Sequence, residues 1–158
     1  MNQALFSHLN ETGEARMVDV AVKEPTRRRA LARAEILMNP ETLNLLRSKS
    51  LKKGDAFTVA KIAGIMAVKK TSDLIPLCHP LTIEHIEIRF TDVAQAGQIT
   101  IECEVATIAK TGVEMEALTG ASVAALTLYD MVKGYDPGTV ISHLRLIKKT
   151  GGKSDYVA

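Results

Sequence analysis

Apolar residues recur along this chain at two spacings, and the switches between them divide it into elements. Val18, Val20 and Val22 fall on one side of an alternating stretch from Met17 to Lys23, the pattern of a first strand. Pro25 breaks it. From Arg29 to Ile36, Ala30, Ala32, Ala34 and Ile36 alternate with Leu31, Arg33 and Glu35, which predicts a second strand although alanine and arginine favour helix equally. Asn39-Pro40-Glu41 opens a short helix to about Ser48, with Asn39 as its cap and Pro40 at the first position. After a Lys52-Lys53-Gly54-Asp55 turn, Asp55 caps a helix from Ala56 to about Thr71. That helix is apolar on nearly all sides (Phe57, Val59, Ile62, Ile65, Met66, Val68), which predicts that other elements sandwich it.

Asp73–Leu81 holds two prolines around Leu77-Cys78-His79 and reads as a stiff, non-helical connection. Ile86, Ile88 and Phe90, then Ile99, Ile101, Cys103 and Val105, alternate with polar residues on either side of a turn at Ala96-Gly97. They predict an antiparallel hairpin with one wet face. A second long helix spans Val113 to Val132, Asp136-Pro137-Gly138 ends it, and Val140–Ile147 is a last strand. The order β-β-α-α-β-β-α-β implies an α+β fold, a sheet with helices packed on one face. Residues 1–16 read as a flexible polar tail and 17–158 as a single domain.

Composition narrows the function classes. The 158 residues are 46% apolar and 24% charged, with a net charge of +2, enough for one sizeable core and too weakly basic to argue for nucleic acid. Aromatic residues make up only 4%, so stacking platforms for RNA are missing, while abundant alanine and glycine favour close helix contacts. No long apolar run is free of charge and the N-terminus lacks a secretion pattern; with two cysteines, the expectation is a reduced, cytoplasmic setting without a membrane span.

The long second helix carries the candidate chemistry. At about 100° per residue, Glu116 and Asp130 return to within about 40° of one face. Asp130 and Lys133 are helix-surface neighbours, either a proton-transferring pair or an ordinary exposed ion pair. Glu114 and Glu116 lie in the first turn, where acids offset the helix dipole. His79, held between Pro76 and Pro80, suits a fixed acid–base group or ligand equally with a carbonyl-bonded loop histidine. Nothing local activates Cys78, Cys103 faces inward, and no paired-cysteine motif predicts zinc. Arginines at 27–29 and lysines at 52–53, 69–70, 148–149 and 153 recur in turns, where they either converge on a phosphate or stay solvated. Gly152-Lys153-Ser154 looks like the end of a Walker loop, but Ile147 stands where its first glycine belongs.

Several strings occur together: MVDV at 17–20, Lys53-Gly54-Asp55, IAGIMAVKKTSDLIPLCHPL at 62–81, KTGVEMEALTGASVAALTLYDMVK at 110–133 and KTGGKS at 149–154. In these the chain resembles the MoaC family, the cyclic pyranopterin monophosphate synthases of molybdenum-cofactor biosynthesis. The resemblance implies a ferredoxin-like antiparallel sheet and a homohexamer, a trimer of dimers, with sites at subunit interfaces. The implied reaction is a lyase step from 3′,8-cyclised dihydroguanosine triphosphate to cyclic pyranopterin monophosphate, with loss of pyrophosphate. Carried over, the catalytic aspartate falls on Asp130, with Lys133 and Lys53 as acid–base partners. Substrate contacts fall on Leu77, Cys78, His79, Met115 and Glu116, and further functional positions on Arg28, Glu114 and Lys149. No cofactor is implied as required; magnesium is conceivable, but the sequence offers no carboxylate cage for it. A transient contact with the radical enzyme that supplies the substrate is a further expectation. The rival readings are a non-enzymatic nucleotide- or RNA-binding module and a purely structural oligomer.

Overall fold

A computed structural model describes residues 8–10 and 12–158. The elements are β1 (Thr26–Leu37), α1 (Pro40–Arg47), α2 (Ala56–Lys69), α3 (Thr71–Leu74), β2 (His85–Val93), β3 (Gln98–Ala109), α4 (Glu114–Val132), β4 (Val140–Thr150) and β5 (Tyr156–Val157). All five strands join one antiparallel sheet in the order β2-β3-β1-β4-β5. Without β5, this is the β-α-β-β-α-β arrangement of a ferredoxin-like α+β fold.

Alternation decides which sheet face is covered. Ala30, Ala32, Ala34 and Ile36 of β1 are buried, as are Ile99, Ile101, Cys103 and Val105 of β3. The opposite face carries charge, with Arg33 donating to Glu102 at 2.7 Å and a second pair between Arg29 and Glu104. Helix α4 lies on the apolar face through Ala117, Ala121, Ala124, Ala125 and Leu128, all fully buried. These alanines, opposite the alanines of β1, let the helix approach the sheet closely. Helices α2 and α4 meet at glycine: a Cβ on Gly64 would stand 2.9 Å from the Gly120 carbonyl oxygen. One on Gly120 would stand 2.6 Å from both the Cys103 sulfur and a Val68 methyl.

Four expectations need correction, the first being that Asp73–Leu81 is wholly non-helical, since Asp73 and Leu74 complete the short helix α3. Met17–Lys23 is not a strand; it runs without ladder bonds, and its half-buried Val18 and Val20 line a pocket with Leu77, Cys78 and His79 instead of a sheet. Helix α2 is not sandwiched: Val59, Ile62 and Met66 face outward, Ile62 at 54% exposure. Asn39 makes no side-chain cap for α1; its N–H donates 2.7 Å to the buried Asp136 carboxylate, which ties the exit of α4 to the entry of α1. By contrast, Asp55 does cap α2, accepting from the Thr58 N–H at 3.2 Å.

Of the segment read as a flexible tail, residues 1–7 and 11 lie outside the described residues. Within the rest, Leu9 bridges Ala15, and the Arg16 N–H donates to the His8 carbonyl at 2.8 Å. Strand β5, not foreseen in the sequence, pairs with Lys148 and Lys149 of β4.

Candidate active site

The antiparallel crossing of α2 and α4 sets the geography of the site. The loop entering α2 carries Lys53 and lies beside the end of α4; the chain leaving α2 carries Leu77-Cys78-His79 and lies beside its start. The sequence-predicted residues therefore gather into two groups, one at each end of α4.

At the C-terminal end, the Lys133 Nζ lies 2.7 Å from Asp130 Oδ1, and the Lys53 Nζ lies 3.3 Å from Oδ2 and donates to the Asp130 carbonyl at 2.7 Å. The Asp130 side chain is 56% exposed. Hydrogen bonds from Lys133 first and Lys53 second hold its carboxyl below the usual aspartate value. The same bond, donated to Asp130, pushes Lys133 upward. At rest, then, Asp130 is a carboxylate and Lys133 an ammonium, each held in its charged form by the other. Two lysines around one carboxylate also complement the negative end of the helix dipole.

At the N-terminal end, Leu77, Cys78, His79, Met115 and Glu116 line a cavity of about 410 Å³. Glu114 belongs to it and also to an adjoining hollow of about 230 Å³ with Arg28, Lys110 and Lys149. The strand register explains the cations: Lys149 pairs with Ala30 and so shares its helix-covered face, as does Arg28 two residues before. The Lys149 Nζ lies 3.2 Å from Glu114 Oε1. Arg28 donates to the carbonyls of Ala109 and Lys110 at 3.3 and 3.4 Å, fixing the loop that starts α4. Gly151 crosses β1 at a positive φ of 84°, where any Cβ would meet the Arg27 carbonyl oxygen at 1.9 Å. Just beyond this turn, Lys153 lies at the rim of the hollow.

Glu116 is buried, and desolvation raises its pKa, helped by the Glu114 charge. Burial likewise raises the Cys78 thiol, with Glu116 second, so Cys78 is a thiol wall rather than a nucleophile. Cys103 is sealed in the core, its thiol pushed up to about 12. The carboxylates of the cavity make a poor cage for a hard dication: one is ion-paired to lysine, and burial opposes ionisation of the other. His85, Glu87 and Glu104, on the other sheet face, bring ligand atoms within 4.8 Å of one another, but Arg29 and Arg89 already bond the two carboxylates.

One chain does not unite the two groups. Sixteen helical steps separate Glu114 from Asp130, about 24 Å at 1.5 Å per residue. The sequence reading also missed Val18, Val20, Lys23 and Lys110, which line the cavities. The valine alternation was the available signal, and it pointed to a strand.

Comparison with known proteins bears on this arrangement. The chain is 53% identical over 151 residues to a protein of Heliobacterium modesticaldum, covering 96% of this chain and 95% of that one. It is 55% identical over 152 residues to one of Peptoclostridium acidaminophilum, covering 96% of each. A protein of Parvibaculum lavamentivorans is 53% identical over 154 residues, 97% and 96% of the two chains. All three are named cyclic pyranopterin monophosphate synthase. The profile of one family spans residues 17–152, every element from β1 to β4 and both groups at the ends of α4: the chain belongs to the MoaC family.

Proposed function

We propose that this protein is a lyase of molybdenum-cofactor biosynthesis. It converts (8S)-3′,8-cyclo-7,8-dihydroguanosine 5′-triphosphate to cyclic pyranopterin monophosphate and releases pyrophosphate. Near-full-length identity to synthases of that name supports the reaction. The observation that carries the site assignment is the adjacency of two unlike spaces, which share Lys23, Gly112, Glu114 and Lys153 in their walls. A half-apolar cavity bounded by Leu77, Cys78, His79, Met115 and Glu116 adjoins, at Glu114, a hollow walled by Arg28, Lys110 and Lys149. A heterocycle fits the first and a triphosphate the second.

The chemistry opens the purine five-membered ring, rebuilds a pyrazine and closes a cyclic phosphate as a sugar hydroxyl oxygen attacks the α-phosphorus. Pyrophosphate leaves with the broken bond's electron pair, and fixed cations stabilise the charge it takes. The ring steps move protons. Asp130 accepts, Lys133 and Lys53 donate, and Glu116 and Glu114 orient the ring and the lysines. Because Asp130 stands about 24 Å along α4 from Glu114, its group acts on the cavity of a neighbouring copy. A homohexamer of three dimers with shared sites answers that need, and the outward Val59, Ile62 and Met66 offer an apolar face for assembly. No helix is long and apolar enough to cross a membrane, and two free cysteines suit a reducing cytoplasm. The reading assigns no resident cofactor. A brief contact with the upstream radical enzyme would hand over the substrate.

The test is turnover of the cyclised nucleotide with detection of released pyrophosphate; a mere anion-binding module would release none. Asp130→Ala should remain folded and lose about a thousandfold in kcat. Mixing Asp130→Ala with His79→Ala should restore activity, since each supplies what the other lacks. Near wild-type turnover by Asp130→Ala would refute its role, and no recovery on mixing would refute sharing.

A further inference from the structure

Met17–Lys23 alternates like a strand yet pairs with none among the described residues, so its valines need another explanation. Val18 and Val20 are half-buried and line the larger cavity together with Cys78, His79 and Met115. Val22, at 92% exposure, points away. The period of two therefore records one side facing a cavity rather than one side facing a sheet.

The segment's polar groups agree with that role. The Ala21 N–H is satisfied locally by Asp19 Oδ1 at 2.8 Å, and the Lys23 N–H by the Val20 carbonyl at 3.1 Å. The tether to the body of the protein is the Lys110 Nζ, which donates to the Ala21 carbonyl at 2.6 Å. Lys110 is itself well placed for this. It follows β3 directly, and its backbone carbonyl accepts from Arg28 at 3.4 Å. Lys23, at the end of the segment, lines both cavities and makes no ion pair among the described residues.

We propose that Met17–Lys23 is a strap that closes the site over its ligand. Val18 and Val20 form the apolar wall against the ring, Lys23 reaches the phosphates, and Lys110 is the positioning residue that fastens the strap through the Ala21 carbonyl. The ligand class, a heterocycle bearing a triphosphate, rests on the function proposed above; the strap itself rests on the contacts just described. Its chemical use is exclusion of water while the rings are opened and rebuilt.

The strap is bounded by two trypsin sites, after Arg16 and after Lys23, so its closure can be read directly. In the full-length protein, release of the peptide 17–23 under limiting trypsin is followed by mass spectrometry. Lys110→Ala should speed cleavage after Lys23 about tenfold, Lys110→Arg should stay within about twofold of wild type, and the cyclised nucleotide should slow it in wild type. Val18→Ala/Val20→Ala should raise KM about tenfold with a smaller change in kcat. If cleavage after Lys23 is equally fast in wild type and Lys110→Ala, or if the double valine variant leaves KM unchanged, the strap is refuted. Absence of turnover in wild type would instead count against the proposed reaction, and the Lys110 cleavage comparison, made without ligand, would still decide the tether.

Discussion

A carboxyl group 4% exposed in the first turn of α4 feels two opposed influences on its proton. Desolvation and the neighbouring Glu114 raise the pKa of Glu116, while a backbone N–H lowers it, and burial is the largest of the three. The fold thus favours the protonated form relative to the unfolded chain, whose glutamates titrate near 4.5. The stabilisation is complete below that value and is lost as pH rises through the raised folded value. As pH rises above the ordinary glutamate value, wild-type Tm should therefore fall more than that of Glu116→Gln, which has no proton to lose. Parallel pH profiles would remove Glu116 as the source. Asp130 has the opposite sign: lysine hydrogen bonds depress it, so its contribution is present at neutral pH and disappears only as acid titrates the carboxylate. Its exposure keeps that contribution small, so the loss expected of an Asp130 variant is one of turnover rather than of folding.

At the scale of elements, the two long helices are registered by glycine. A methyl at position 120 has nowhere to go between the Cys103 sulfur and Val68, and both neighbours are buried. Gly120→Ala should cost about 3 kcal/mol, seen as a lower urea midpoint at unchanged m-value. It should also impair turnover, because shifting α4 moves both groups of site residues together. A midpoint equal to wild type would show that the helices can spread at no cost. These same elements explain what was legible in advance. Regular alternation gave β1 and the β2–β3 hairpin, and Asp55 marked the start of α2, because each signal is local. The convergence of Lys53 with Asp130 and Lys133 was legible only through family resemblance, since it depends on the antiparallel crossing of α2 and α4. Val18 and Val20 misled because alternation reports two unlike sides and is silent on what the buried side faces. The outward face of α2 misled for the converse reason: an all-round apolar helix signals burial, and a single chain leaves part of it uncovered.

At the scale of the molecule, α4 acts as a spacer. Its ends hold the cavity group and the Asp130 group about 24 Å apart, farther than a nucleotide triphosphate can bridge while seated in one cavity. A second copy can close that gap by placing the end of its own α4 against the start of this one. Such packing needs an apolar surface, and Val59, Ile62 and Met66 recur on α2 at spacings of three and four, on one side of the helix. Ile62 is a suitable lever: it is exposed within the chain, so a charge there leaves the protomer core intact, yet it would lie at the centre of that surface. On the proposed assembly, Ile62→Asp should give a lower mass than wild type by light scattering at equal protein concentration and reduce kcat at least a hundredfold. Pyrophosphate should still bind the cation-lined hollow of the dissociated chain within about threefold of wild-type affinity, because Arg28, Lys110 and Lys149 all come from one copy. Full activity in a dissociated Ile62→Asp protein would mean that Asp130 serves its own cavity across a distance the helix forbids, and the shared site would have to be abandoned.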